Sequence, residues 1–209
     1  MFFIMEDNMS AESTNNKTIN YYNHNAQAFI ADTVSVEFND QQEMLLKYLK
    51  PGAHILDLGC GAGRDSKSFI EKGYKITALD GSAELCKIAS DYIGQEVICK
   101  TFEELDDNNT YDAVWACASL LHVPMKELPS VIASIERALK PGGYLYTSFK
   151  YGDFEGERKG RYFTNLTEGR LRKIVDRFDS LDIIEMTLSL DVREDREDEK
   201  WLNVIIKKL

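Results

Sequence analysis

The sequence predicts an α/β fold, a doubly wound parallel sheet with helices on both faces, and three observations carry that prediction. Over the middle of the chain, short apolar runs alternate with amphipathic segments, the pattern of strands joined by crossover helices. The runs are apolar throughout rather than every second residue, as in strands covered on both faces. The last two apolar stretches, Leu181–Leu190 and Trp201–Lys207, are separated only by the charged segment Asp191–Lys200. That is too short for a crossover, so these two must pair antiparallel.

Each element has its own signal. The first 20 residues, rich in Asn, Ser, Thr and acid, lack sustained periodicity and predict a flexible lead-in, with order beginning near Tyr21 and a single domain over 21–209. Apolar residues at helical spacing predict cap helices within 21–50, at Tyr22–Ala31 and Asp40–Leu49, the second closed by Pro51-Gly52. Strands are expected at Ala53–Leu58, Tyr74–Leu79, Glu96–Lys100, Tyr111–Cys117 and Gly143–Phe149. Helices are expected at Asp65–Lys72, Ala83–Tyr92, Met125–Leu139 and Leu166–Phe178. The segment 150–165, KYGDFEGERKGRYFTN, is long for a connection and reads as a lid loop over a binding site.

At 209 residues, with 44% hydrophobic and 29% charged residues and only 4 prolines, the chain has enough apolar material for one full core and fits neither a disordered nor a low-complexity class. The formal net charge of −10 disfavours nucleic acid and anionic lipid as partners. No apolar stretch approaches the ~20 residues that span a bilayer, so no membrane partner is expected. The beginning MFFIMEDN has no basic region and turns acidic at Glu6, which predicts no secretory signal and a cytoplasmic location. Cys60, Cys86, Cys99 and Cys117 form no CxxC pair and read as free buried thiols, with no metal required. Oligomeric state is open.

The sharpest local signal is His54–Ser66, HILDLGCGAGRDS: an apolar strand, then Gly59, Cys60, Gly61, Ala62 and Gly63, then a helix. Glycines at this spacing let the backbone turn tightly against a ligand, while the helix start offers unpaired N–H groups. A dinucleotide fingerprint needs a small residue where Arg64 stands, which counts against NAD. Instead an acid, Asp57, precedes the glycines at the strand tip. A second acid, Asp80, ends the next strand, where a carboxylate can accept from both hydroxyls of a ribose.

Together with Phe102-Glu103, the strand and turn from Asp112 to His122, and Leu139-Lys140-Pro141-Gly142-Gly143, these motifs resemble the class I S-adenosylmethionine-dependent methyltransferases in order and spacing from Tyr21 onward. The resemblance implies a Rossmann-like seven-strand sheet, mostly parallel with the last strand antiparallel, and S-adenosyl-L-methionine as cofactor at the carboxyl ends of the first and fourth strands. It implies that Gly59, Gly61 and Gly63 cradle the methionine part with Asp57 behind them, and that Asp80 takes the ribose with Gly81 and Ser82 beside the adenosine. Phe102 and Glu103 stand where such enzymes contact adenine, and Cys117 and Ala118 follow the fourth strand near the sulfonium. His122, close to the transferred methyl, is a candidate catalytic base or acceptor-orienting group. On a helix resembling the tyrosine-led cap of small-molecule members, Tyr22 or Tyr21 is a candidate for closing over the methionine carboxylate with Arg64, and Tyr22 for taking part in catalysis. In the lid, Tyr151, Arg158, Arg161, Tyr162 and Phe163 are candidates for contact with an anionic or planar acceptor. The function expected is methyl transfer to a small-molecule acceptor. A non-catalytic S-adenosylmethionine-binding regulatory module and an NAD-dependent oxidoreductase are the rival readings.

Overall fold

Parallel strands can be joined only by long crossovers, and the chain alternates strand and crossover accordingly. The computed structural model describes residues 14–33, 39–191 and 199–209. Strands β1 (His54–Leu58), β2 (Lys75–Asp80), β3 (Ile98–Cys99), β4 (Tyr111–Ala116) and β5 (Leu139–Lys150) are mutually parallel. Two helices, α1 (Thr14–Thr33) and α2 (Asn39–Leu46), precede them in sequence, and α3 (Arg64–Glu71), α4 (Ala83–Ile93) and α5 (Leu128–Ala138) lie between strands. Beyond β5 come a small antiparallel pair, β6 (Glu155–Arg158) and β7 (Arg161–Thr164), then α6 (Glu168–Val175), β8 (Leu181–Leu190) and β9 (Lys200–Lys208). The main sheet has seven strands in the order β3-β2-β1-β4-β5-β9-β8. Because β9 is antiparallel to both β5 and β8, it alone runs against the other strands.

Alternate residues of each central strand feed opposite layers. Ile55, Ala113, Trp115 and Ile205 join the layer that includes Leu45, Phe69 and Ile93 from α2, α3 and α4. Leu56, Leu58, Val114, Ala116 and Val204 join the layer that includes Ile132, Ile135, Leu171 and Val175 from α5 and α6. Both faces are therefore covered, which accounts for the unbroken apolar runs. The strand order reverses between β1 and β4, and a crevice must open there at the strands' carboxyl ends. Among the described residues no helix is long and apolar enough to cross a membrane.

The structure corrects several boundaries. The helix expected from Tyr22 begins at Thr14, inside the supposed lead-in, because tertiary contacts hold a stretch whose own periodicity is weak. Thr18 is buried and accepts from the Tyr162 N–H at 3.1 Å, and Ile19 packs on Gly81. The rest of that lead-in, residues 1–13, lies outside the described residues, as do 192–198 of the charged connection. The third strand shrinks from the expected Glu96–Lys100 to Ile98–Cys99 at the sheet edge, and Cys99 is exposed rather than buried. Segment 150–165 is not a structureless loop: it contains the β6–β7 hairpin, turned by Lys159 (φ 51°) and Gly160 (φ 78°) between the paired Arg158 and Arg161. Two successive left-handed residues suit the twist of a two-residue hairpin.

Candidate functional site

The carboxyl ends of β1, β2, β4 and β5, roofed by α1 and the β6–β7 hairpin, enclose a cavity of about 240 Å³. The turn after β1 forms its floor. Gly59 has φ +81°, and a Cβ there would lie 2.5 Å from Ser119 Cβ; Gly61 has φ +56° with the Phe29 ring 3.1 Å from the equivalent position. Both positions need glycine for backbone conformation as well as space. Asp80 ties this turn to the next strand: Oδ2 accepts from the Gly61 N–H at 2.9 Å and Oδ1 from the Ser82 N–H at 2.8 Å. Burial pushes its carboxyl up to about 6 against the lowering pull of the Ser82, Gly61 and Gly81 backbone groups. Each oxygen keeps a lone pair for a further donor.

Behind the turn, Ser66 donates to Asp57 at 2.6 Å, and burial, reinforced by the neighbouring Asp65 charge, pushes Asp57 up to about 7. Asp65 itself, on the first turn of α3, gathers Gln42 (3.0 Å), the Trp115 indole N–H (3.0 Å) and two donors of Arg64 (3.0 and 2.8 Å). Arg64 thus serves as a brace between α3 and the end of α1, where it also donates to the Thr33 carbonyl at 3.3 Å.

The other end of the cavity is aromatic and polar. After β4, Ala118 adopts φ +50°, a strained conformation for a residue with a Cβ, and its N–H donates to Ser148 at 2.8 Å. His122 Nδ1 lies 2.6 Å from the Tyr162 carbonyl and Nε2 lies 2.9 Å from the Tyr22 hydroxyl. A carbonyl can only accept, so Nδ1 carries the proton and Tyr22 donates to Nε2. Burial, opposed by the Tyr162 carbonyl and aided by the Arg161 and Lys150 charges, holds His122 down at about 4, so the imidazole is neutral at physiological pH. The Tyr22 phenol is raised by the same burial, opposed by Arg161, whose Nη1 donates to its oxygen at 3.3 Å. Both nitrogens of His122 are therefore engaged.

Of the expected residues, Tyr22, Asp57, Gly59, Cys60, Gly61 and Arg64 border the cavity, as do Asp80, Gly81, Phe102, Cys117, Ala118 and His122. Gly63, Ser82 and Glu103 do not. Gly63 caps α3 and packs against Ile93, and Ser82 caps α4 by accepting from the Leu85 N–H while donating to Asn23 of α1. Glu103 is exposed on a 3-10 turn. From the hairpin, Arg161 and Phe163 reach the cavity. Tyr151, Arg158 and Tyr162 turn away, to Glu168, the Phe154 ring and Glu155 respectively. Sequence reasoning missed Phe29, Lys150, Trp201 and Asn203. Asn203 carried a usable signal, a polar residue inside an otherwise apolar strand; it is buried and accepts from the Tyr146 hydroxyl at 2.8 Å. Among the described residues no group of three or more His, Cys, Asp or Glu could hold a metal ion.

Comparison with known proteins adds three findings. Residues 55–143, from β1 into β5, match the family model of a methyltransferase domain. A ubiquinone biosynthesis O-methyltransferase of Xanthomonas oryzae pv. oryzae is 35% identical over 104 residues, 46% of this chain and 43% of that protein. One from Xanthomonas axonopodis pv. citri is 36% identical over 107 residues, with the same coverage. The chain thus spans less than half the length of these curated relatives. Among solved structures, the 1,6-didemethyltoxoflavin-N1-methyltransferase of Burkholderia thailandensis, with its substrate and S-adenosylhomocysteine bound, superposes with TM-score 0.72 at 21% identity over 90% of this chain and 84% of that one. The magnesium protoporphyrin IX methyltransferase of Synechocystis, with S-adenosylmethionine bound, gives 0.71 at 18% identity, covering 96% and 99%. The seven-strand sheet is the fold of class I methyltransferases, as the sequence led one to expect.

Proposed function

We propose that this chain is an S-adenosylmethionine-dependent methyltransferase that acts on a small-molecule acceptor. The observation that carries the reading is the lock between Asp80 and the Gly61 N–H: a strand-end carboxylate and a left-handed glycine turn, side by side on a cavity floor at the switch point of the sheet. The residues present fit the cofactor. Asp80 keeps acceptor capacity for two ribose hydroxyls, the Gly59–Gly61 turn presents backbone without side chains, and Phe102 and Gly81 offer an apolar flank for an adenine.

When bound, S-adenosylmethionine supplies an electrophilic methyl on a sulfonium sulfur. The protein's own contribution is alignment and exclusion of water. Phe29 and Tyr22 from α1, in edge contact at 5.2 Å between ring centroids, roof the glycine turn. Neutral His122 fixes the Tyr22 hydroxyl by accepting its proton in a hydrogen bond, and Arg161 holds the same oxygen from the other side. A phenol pinned between an acceptor and a donor presents a fixed face to a bound acceptor molecule, which makes His122 a positioning residue. A cytoplasmic location accords with the absence of a spanning helix among the described residues.

Thermal unfolding in the presence of S-adenosylmethionine, S-adenosylhomocysteine or NAD tests the reading, since a ligand of the native state raises its stability. The two adenosyl compounds should raise the melting temperature and NAD should not. Stabilisation by NAD alone refutes the proposal.

A further inference from the structure

Three cationic side chains border the cavity: Arg64, Lys150 and Arg161. Two are neutralised on the spot, Arg64 by Asp65 at 2.8 Å and Lys150 by Glu199. Arg161 has no carboxylate partner among the described residues. Its guanidinium instead rests among rings, 4.7 Å from the centre of Tyr21, 5.2 Å from Phe163 and 5.7 Å from Tyr22. One donor reaches the Tyr22 oxygen, while the Nε–H is buried with no acceptor. Ring faces attract a cation without consuming its in-plane N–H groups, so the charge and most of the donor fork remain available.

The backbone holds this arrangement in place. Arg161 follows the Lys159-Gly160 turn, and a Cβ at Gly160 would lie 2.9 Å from the Tyr21 ring, so the hairpin tip sits directly on α1. The next residue donates its N–H to Thr18 and offers its carbonyl to His122. A half-buried cation with a buried, unpartnered Nε–H, on a segment anchored at three points, is a donor set that an anionic ligand would complete.

The position indicates which ligand. Asp80 ends β2 and Lys150 ends β5, three strand spacings apart, or about 14 Å. Phe163, beside Arg161, lies against Lys150 and hence at the β5 end, remote from the nucleoside side and beyond the β1 turn expected to receive the cofactor's amino acid. Phe163 and Trp201 lie against Lys150 at that end, and Tyr22 borders it from the side of the glycine turn, giving ring walls around one charged donor set.

We propose that Arg161 is the anion-binding residue of the acceptor site, and that the molecule methylated is a small aromatic acid whose carboxylate it grips. This rests on the methyltransferase reading above and adds the chemical class of the acceptor to it. The same guanidinium could in principle take the α-carboxylate of the cofactor, and the experiment separates the two.

The full chain is saturated with S-adenosylhomocysteine and titrated calorimetrically with benzoate and, separately, with benzamide, its neutral isostere. Benzoate should bind about tenfold or more tightly than benzamide. Arg161→Gln should abolish that preference, and Arg161→Lys should retain part of it, while both variants hold S-adenosylhomocysteine within about twofold of the wild type. Equal binding of the two probes, no detectable benzoate binding, or a preference that survives in Arg161→Gln overturns the proposal. So does a variant that loses S-adenosylhomocysteine affinity instead, which assigns the guanidinium to the cofactor. Failure of the wild type to bind S-adenosylhomocysteine at all is a separate result and counts against the methyltransferase reading itself.

Discussion

Asp80→Asn separates the structural from the ligand-binding role of the acid at the end of β2. In the free protein the carboxylate accepts from Gly61 and Ser82. The amide keeps one oxygen acceptor and turns its NH2 toward the other N–H, a loss of about 1–3 kcal/mol. Against that, the wild-type carboxyl is pushed up to about 6 from 3.8 by burial. The folded protein therefore holds this proton across a pH range where the unfolded chain has released it, and wild-type stability falls as pH rises from about 4 to about 6. About two pKa units correspond to about 3 kcal/mol, which the amide does not incur above pH 6. The two contributions nearly cancel, so Asp80→Asn should unfold within about 1 kcal/mol of wild type at pH 8. Ligand affinity has no such compensation. Hydroxyl bonds to a charged acceptor are worth about 1.5–3 kcal/mol each, and replacing the charge by an amide should weaken S-adenosylhomocysteine by tenfold or more. Because the hydroxyls favour the ionised acid, wild-type affinity should rise with pH through about 6, while the variant's should stay flat. Calorimetry at pH 5 and pH 8, with urea unfolding alongside, reads both. An affinity within twofold of wild type at pH 8, or the same pH dependence in both proteins, refutes the ribose assignment.

Three further outcomes are expected. Gly61→Val places a branched side chain at φ +56° against the Phe29 ring, so a folded protein that no longer gains thermal stability from S-adenosylhomocysteine is expected; an undiminished thermal shift would show that the turn faces away from the ligand. Asp57→Asn keeps an acceptor for Ser66 but removes a carboxyl pushed up to about 7, so in urea unfolding it should stabilise the protein at pH 8, by at most about 4 kcal/mol, and have little effect at pH 4; equal shifts at both pH values would rule out burial of the charge as the cause. Tyr22→Phe leaves His122 Nε2 and Arg161 Nη1 each without a partner, and a double-mutant cycle with His122→Ala should give a coupling of about 0.5 kcal/mol or more, whereas strict additivity would mean that the hydrogen bond contributes nothing.

What the sequence made legible was what is encoded locally. The Asp57–Gly63 turn and Asp80 could be read because closely spaced glycines directly after one apolar run, and an acid closing the next, are local patterns whose chemistry needs few partners. The two-layer sheet could be read because burial on both faces leaves unbroken apolar runs. The first turns of α1 could not, since Thr18 and Ile19 are ordered by Tyr162 and Gly81, more than 60 residues away in the chain. The β6–β7 hairpin was hidden for a related reason. Lys-Gly is not among the strong turn pairs, and β6 buries little while β7 buries only Phe163 and Thr164, so their pairing with each other and docking on α1 leave scant pattern in the residues. The Gln42–Asp65–Trp115 cluster joins α2, α3 and β4, a conjunction visible only once the chain has folded.

The hairpin insertion also has its ends tied. Where it leaves β5 and where it rejoins the chain before α6, the Leu166 N–H donates to the Lys150 carbonyl and the Gly152 N–H to the Leu166 carbonyl, with Tyr151 and Leu166 bridged. Whatever lies between those residues hangs from a closed neck, so neither the register of β5 with β9 nor the floor at β1 and β2 depends on its length. Closing a loop twice as long costs only about 0.6 kcal/mol more. The fold can therefore exchange this roof segment for another of different length and chemistry while the glycine turn and Asp80 stay in place, so that, on the proposed reading, selectivity would diverge by replacing a cassette rather than by remodelling a core.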